Sequence, residues 1–191
     1  VTKKGQSIVF VGTDGFRLGE KTLQVPSLED QDFGYIIPIK TVSECIRILD
    51  LTDDEEVTLA FGENQMSVVL AQVELVSKLV EGTFPQYEGL IPSSFSKSFS
   101  VDTAELVQAI RLSSVFSADS VNDIKFLAQT DKAISIKSSN TEVGANDSSI
   151  QATISGDPHF EISFNYTYIL DGVSALKGDV ITVELNDSDS P

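Results

Sequence analysis

The sequence predicts an α+β fold, with antiparallel sheets on one face and paired helices on the other. Three observations carry that expectation. Short apolar runs, separated by Gly-, Asn- or Asp-containing turns, recur along the 191 residues. The apolar spacing changes to three and four residues at about 39–50, 103–114 and 166–176, the mark of helices. No G-x-G-x-x-G or Walker pattern interrupts this order, which argues against a nucleotide-binding parallel sheet.

In order, Gln6–Val11 reads as a strand, and Thr13-Asp14-Gly15 as a turn, because Asp14 can bond its own backbone and Gly15 can take positive φ. A strand opens at Phe16–Leu18 and runs to about Val25; Pro26–Gly34 is an acidic loop and Tyr35–Ile37 a brief strand. Val42, Cys45, Ile46 and Leu49 then form a helical stripe, with Thr41 and Glu44 spaced as a capping box. Val57–Phe61 and Gln65–Gln72 form a hairpin, and Glu74–Val80 a further strand. Ser77–Val101 is a crossover with Pro85, Pro92 and a serine-rich run, which places a boundary between residues 1–92 and 93–191. Its Phe84, Tyr87, Leu90 and Ile91 are expected to pack against neighbours.

The second half begins with a strand at Lys97–Val101. Asp102 or Thr103 caps a helix whose apolar side is Leu106, Val107, Ile110 and Val115. Ile124–Ala128 and Ala133–Lys137 form a hairpin. Glu142–Ala145 and Ser149–Ile154 read as two short strands about an Asn-Asp turn, followed by a strand at His159–Phe164. Asn165 opens a helix with Tyr168, Ile169, Val173 and Leu176 on its apolar side; Gly178 stops it, and Val180–Leu185 closes the chain as a strand.

Composition narrows function by exclusion. A net charge of −16 argues against a uniformly basic nucleic-acid binder but leaves room for a local basic stripe. One cysteine, Cys45, excludes a disulfide framework and a cysteine-built metal site, and it reads as a buried structural thiol. No apolar run approaches the roughly 20 residues of a membrane helix and no signal peptide is evident, so a soluble cytoplasmic protein is expected. His159 is the one histidine and reads as solvated; Asp14 reads as a turn former, and Met66 as strand core. Asp53–Glu56 lacks the spaced pattern of a calcium loop and reads as a solvated face. No constellation of nucleophile, base or metal ligands emerges, and no catalytic residue, metal or cofactor is expected.

Three stretches together are recognisable: Thr13-Asp14-Gly15-Phe16-Arg17-Leu18, SKLVEGTFPQYEGLIP from Ser77 to Pro92, and FNYTYILDGVSALKGD from Phe164 to Asp179. In order and spacing they resemble bacterial DNA polymerase III beta subunits, the sliding clamps, across essentially the whole chain. The resemblance implies DNA clamp (processivity-fold) domains. Residues 1–92 would be the later part of a middle domain and 93–191 most of a third, without its final strand and tail. It implies a non-catalytic ring, closed head to tail by two complete chains around duplex DNA and bound without regard to sequence. It also implies a groove that docks short linear motifs of the DNA polymerase III alpha subunit, the clamp loader and repair polymerases. No membrane partner is implied, and this fragment alone is not expected to form the ring.

Carried over position by position, the groove would comprise Thr13, Gly15, Phe16, Arg17, Leu18, Pro85, Leu90, Asn165 and Tyr168, with Ser188 and Ser190. Leu18, Pro85 and Leu90 would take apolar side chains, and Arg17 and Asn165 would orient the peptide. The DNA-facing residues would be Lys40, Arg47, Arg111 and Lys177. Phe16 stands where the family has histidine, which implies an altered motif preference. The bland alternatives are a β-rich interaction or structural module, or a hydrolase built on Asp14 beside a second acid.

Overall fold

The computed structural model describes residues 1–25, 32–52, 56–70, 72–117 and 122–186. Its chain forms two compact units, Val1–Gln86 and Tyr87–Pro191, so the division falls inside the crossover, ahead of Pro92.

Among its described residues the first unit has two three-stranded antiparallel sheets and a helix. Strands β1 (Thr2–Lys4), β2 (Ser7–Thr13) and β3 (Leu18–Gln24) form one sheet in that order. β1 was not legible in the sequence: its TKK carries no apolar alternation. It is held by antiparallel pairing with β2 on one side, and on the other by the Lys3 amide donating to Phe33 O at 2.9 Å and the Tyr35 amide donating to Val1 O at 2.8 Å. Lys3 is buried, with its Nζ 3.4 Å from Asp32, the pairing a buried cation requires. Helix α1 (Ile39–Leu49) precedes β4 (Val57–Phe61), β5 (Gln65–Leu70) and β6 (Val73–Lys78), which form the second sheet in sequence order. The expected strand at Tyr35–Ile37 is reduced to isolated bridges at Gly34 and Ile36. Met66, Val68 and Leu70 alternate inward along β5 under Ile48 and Cys45 of α1, and Tyr35 stacks on Phe61 with centroids 4.7 Å apart.

Two details of α1 differ from expectation. The capping box does not form. Pro38, with φ already at −59°, stands at the N-cap, so the helix begins before Thr41. The Thr41 hydroxyl instead meets Ser77 Oγ at 2.6 Å, and Glu44 turns to Arg47. That bond to β6 sets the helix rotation: Thr41, Cys45 and Ile48 face inward, while Val42, Ile46 and Leu49 are exposed on the flank.

The second unit begins with a 3-10 turn, Glu88–Leu90, on which Leu90 and Ile91 are exposed rather than packed. Then come β7 (Lys97–Asp102), α2 (Thr103–Ser114), β8 (Asp123–Thr130), β9 (Ala133–Asn140) and β10 (Gly144–Gln151). They are followed by β11 (Thr153–Gly156), β12 (Phe160–Asn165), α3 (Tyr166–Ala175) and β13 (Val180–Leu185). The sheets run β10-β9-β8-β12 and β11-β7-β13, all antiparallel. Phe99 of β7 stacks on Phe126 of β8 and Phe160 of β12, joining the two sheets. Leu106 and Ile110 of α2, fully buried, close over Ile124, Ile134 and Ile136. Val115 lies past the helix end and Leu176 is the C-cap of α3, so both are exposed instead of completing their stripes.

The Asn146-Asp147 pair is not a turn; β10 runs straight through it. Strand parity explains why. Asn146 faces inward, where its Nδ2 donates to Ser113 Oγ and Ser148 Oγ at 2.9 Å each, while Asp147 faces outward and pairs with Lys137 at 2.8 Å. Buried Ser138 Oγ donates to the Ser113 carbonyl at 2.6 Å, so one polar network pins α2 to β9 and β10. On the outer face, Lys125 and Lys137 stand directly opposite each other. Lys125 also pairs with Glu161 at 2.8 Å, giving a row Glu161–Lys125–Lys137–Asp147 across four strands.

Gly156 has φ +87°, and a Cβ there would run into the Ser96 carbonyl oxygen. Gly156→Ala is expected to destabilise the chain by about 2 kcal/mol or more in urea unfolding. Gly172, inside α3 with open space around it, gives the opposite sign: Gly172→Ala should stabilise by about 0.5–1 kcal/mol.

Candidate functional site

The β2–β3 hairpin closes on the pair Thr13 and Leu18, and its turn is built from its own side chains. Thr13 Oγ1 donates to the Arg17 carbonyl at 2.7 Å and accepts from the Gly15 amide at 3.1 Å. Asp14 Oδ1 accepts from the Phe16 and Arg17 amides, both at 3.0 Å, and its Oδ2 accepts from Arg17 Nε at 3.1 Å. Gly15, with φ +89°, makes the bend possible. The backbone amides of Phe16 and then Arg17 hold the Asp14 carboxyl below its ordinary value of 3.8. Asp14 is therefore a turn former with its oxygens occupied, as its sequence setting suggests. The turn presents Phe16, 81% exposed, at its tip, and leaves Leu18 half-buried at its base.

Pro85 is exposed in the segment after β6. In the second unit, Leu90 stands 69% exposed on its 3-10 turn. Asn165 caps α3: its Oδ1 accepts from the Thr167 amide at 3.0 Å and from Thr167 Oγ1 at 2.6 Å. Tyr168, half-buried, lies in the first turn of that helix. The structure thus gathers Thr13–Leu18 into one turn and Asn165 with Tyr168 at one helix start, each within its own unit. Ser188 and Ser190 lie outside the described residues.

The four basic candidates are all exposed. Arg47 is engaged, its Nε 3.1 and 3.2 Å from the Glu44 carboxylate, whose pKa this contact lowers. Arg111 projects from α2 over a hollow of about 530 Å³ lined also by Thr103, Gln108, Gly178 and Asp179. Lys177 directly precedes that corner. Thr103 ties the corner together: its Oγ1 donates to Gly178 O and its amide to Asp179 O, both at 2.8 Å.

His159 is exposed beside Asp157, and burial raises the half-buried Cys45 thiol. Asp53–Glu55 lie outside the described residues. Among the described residues no His, Cys, Asp or Glu cluster could hold a metal ion, and no helix is long and apolar enough to cross a membrane. Sequence reasoning missed the Ser113–Ser138–Asn146–Ser148 network. Its signal was present as polar residues at inward parity in β9 and β10, and at an i+3 position from Ile110 in α2.

Residues 1–86 match the family described as DNA polymerase III beta subunit, central domain, and residues 88–191 match its C-terminal domain. The beta sliding clamp of Haemophilus influenzae is 32% identical over 185 residues, which is 97% of this chain and 50% of that protein. The Staphylococcus aureus clamp is 27% identical, over 93% of this chain and 46% of its own length. The chain spans about half the length of these curated relatives. Among solved structures, the sliding clamp of Bacillus subtilis superposes with a TM-score of 0.91 at 28% identity, over 99% of this chain and 50% of that one. A Pseudomonas aeruginosa clamp bound to griselimycin gives 0.89 at 26% identity, with the same two shares covered.

Because Asp14 is ionised in its turn, its contribution is complete above its ordinary titration range and is lost as pH falls through the lowered folded value. Its carboxyl carbon should titrate by NMR with a midpoint below 3.8. In Asp14→Ala at neutral pH, amide exchange at Phe16 and Arg17 should accelerate about five-fold. A midpoint at or above the ordinary value would count against the turn geometry.

Proposed function

The chain belongs to the DNA polymerase III beta-subunit family, and from that premise we propose that it supplies the middle and third domains of a sliding clamp. That clamp is a non-catalytic, cytoplasmic ring that surrounds duplex DNA and tethers the replicative polymerase for processive synthesis. The observation that carries this reading is the match of the two halves, in order, to consecutive domains of one family. Two chains would close the ring head to tail.

The inner lining would be α1, α2 and α3, carrying Lys40, Arg47, Arg111 and Lys177 toward phosphates. Such contacts are sequence-independent and release counterions. Few cations on an acidic body suit a ring that must slide, since a dense basic lining would hold the duplex in place. Arg47 is the weakest of the four, because Glu44 already neutralises it.

Docking would use Thr13, Gly15, Phe16, Arg17, Leu18 and Pro85 together with Leu90, Asn165, Tyr168, Ser188 and Ser190. Motifs of the polymerase alpha subunit, the clamp loader and repair polymerases would be the ligands. Support comes from the Thr13–Leu18 turn, whose Gly15, Phe16 and Arg17 amides are satisfied internally, which favours meeting a peptide with little reorganisation. Asn165 spends its oxygen on the helix cap, so in this reading it addresses a peptide through its amide nitrogen.

Retention of the complete protein on nicked circular plasmid, and its loss when the plasmid is linearised, tests the ring. Equal retention on both would refute it. Alanine at Lys40, Arg111 or Lys177 should each reduce the salt slope of DNA binding by about 1, with a smaller change at Arg47. Calorimetry with a clamp-binding linear peptide tests the docking surface. Binding that weakens about ten-fold or more in Leu18→Ala or Tyr168→Ala is expected, and undiminished binding in both would remove those residues from the site.

A further inference from the structure

We propose that Asp14–Gly15 is a shielded isoaspartate site, in which the Thr13 hydroxyl holds the Gly15 amide and so blocks a self-modification that this dipeptide otherwise undergoes. Nothing in the clamp reading requires it, since it concerns the covalent chemistry of the chain and not a ligand.

An aspartate followed by glycine is open to ring closure, because glycine carries no side chain to hinder its own amide. The Gly15 nitrogen would bond to Cγ of the protonated Asp14 carboxyl, and the amide proton would leave with the carboxyl hydroxyl as water. The resulting five-membered succinimide takes water back at either carbonyl. Opening at the main-chain carbonyl gives isoaspartate: the chain then runs through Cβ, one methylene longer, and the freed carboxylate sits on Cα. The sum is an isomerisation, with no atom gained or lost.

The chain has two such bonds, at 14–15 and 171–172. Asp171–Gly172 lies inside α3, where the helical ladder uses the Gly172 amide. Asp14–Gly15 lies outside any helix, and both of its residues are exposed. No atom lies within 4 Å of the position a Gly15 Cβ would take, so crowding does not oppose closure. Hydrogen bonding does. The attacking group is held: the Gly15 amide donates to Thr13 Oγ1 at 3.1 Å, and that hydroxyl is anchored on the Arg17 carbonyl at 2.7 Å. The attacked group is held as well. Asp14 Oδ1 accepts from the Phe16 and Arg17 amides, both at 3.0 Å, which favours the ionised carboxylate, a poor electrophile. Closure expels one carboxyl oxygen and abolishes the charge that these amides and Arg17 Nε, 3.1 Å from Oδ2, stabilise. Of these restraints only the bond to Thr13 acts on the nucleophile, so Thr13 is the residue whose loss releases it.

The test ages the parent chain, Thr13→Val and Thr13→Ser side by side at physiological temperature and pH, with a synthetic peptide of residues 9–20 as the unfolded reference. Isoaspartate is counted by isoaspartyl methyltransferase with labelled S-adenosylmethionine and located by peptide mapping. The peptide should accumulate isoaspartate at Asp14 about ten-fold faster than the parent, or more. Thr13→Val should accumulate it about three-fold faster than the parent, or more, and Thr13→Ser at the parent's rate. Asp171 should stay intact in all three proteins, which separates release of the Gly15 amide from loss of the fold. Accumulation in the parent at the peptide's rate would overturn the shielding, and equal rates in the parent and Thr13→Val would remove Thr13 from it. A Thr13→Ser rate matching Thr13→Val would assign the effect to the threonine methyl group and overturn the role of the hydroxyl. An equal rise at Asp171 in Thr13→Val would also overturn it, because the release would then be global.

Discussion

The second unit depends on how α2 is seated over its four-stranded sheet. Leu106 and Ile110 provide the apolar contact with Ile124, Ile134 and Ile136. Apolar contact alone is non-directional and would tolerate rotation or sliding of the helix. Ser113 removes that freedom, because its hydroxyl and carbonyl are engaged by Asn146 and Ser138 from two different strands. The helix start is fixed independently by Asp102, which accepts from the Glu105 amide, and by Thr103, which reaches the Gly178–Asp179 corner. Through that clasp the exposed face of α2 is held in register with the segment that follows α3.

The two turns of the candidate site follow a similar logic at smaller scale. At Thr13–Leu18 and at Asn165, short polar side chains satisfy amides that would otherwise point into water or a ligand. Neither position contains a nucleophile or a base poised for proton transfer, and the Asp14 carboxylate is spent on structure. Geometry of this kind favours holding over reacting.

Much of the fold was legible because its signals were local. Asp102 and Asn165 cap the helices they precede, the Gly62–Asn64 turn joins the strands it separates, and Met66 alternates into the core. Expectation failed where a long-range partner outweighed a local preference. Thr41 left its capping role for Ser77, the Asn146-Asp147 pair was absorbed into a strand by Ser113 and Lys137, and β1 forms between β2 and residues 33–35. The turn residues of the candidate site could be read from T-D-G and their mutual bonds anticipated. The exposure of Phe16 could not, since an aromatic residue after a glycine fits a strand start equally well.

The charge row on the outer sheet bears on how the strands find one another during folding. Sliding β9 along its neighbours by one position would turn Ile134 and Ile136 toward water, so burial alone rejects that error. Sliding by two keeps every apolar residue on its proper side, and burial barely notices. Lys137 would then face Ala145 or Ser149 in place of Asp147, and Ser138 would no longer reach the Ser113 carbonyl. Polar residues on the two surfaces of the sheet thus act as a proofreading device, rejecting the misalignment to which hydrophobicity is blind.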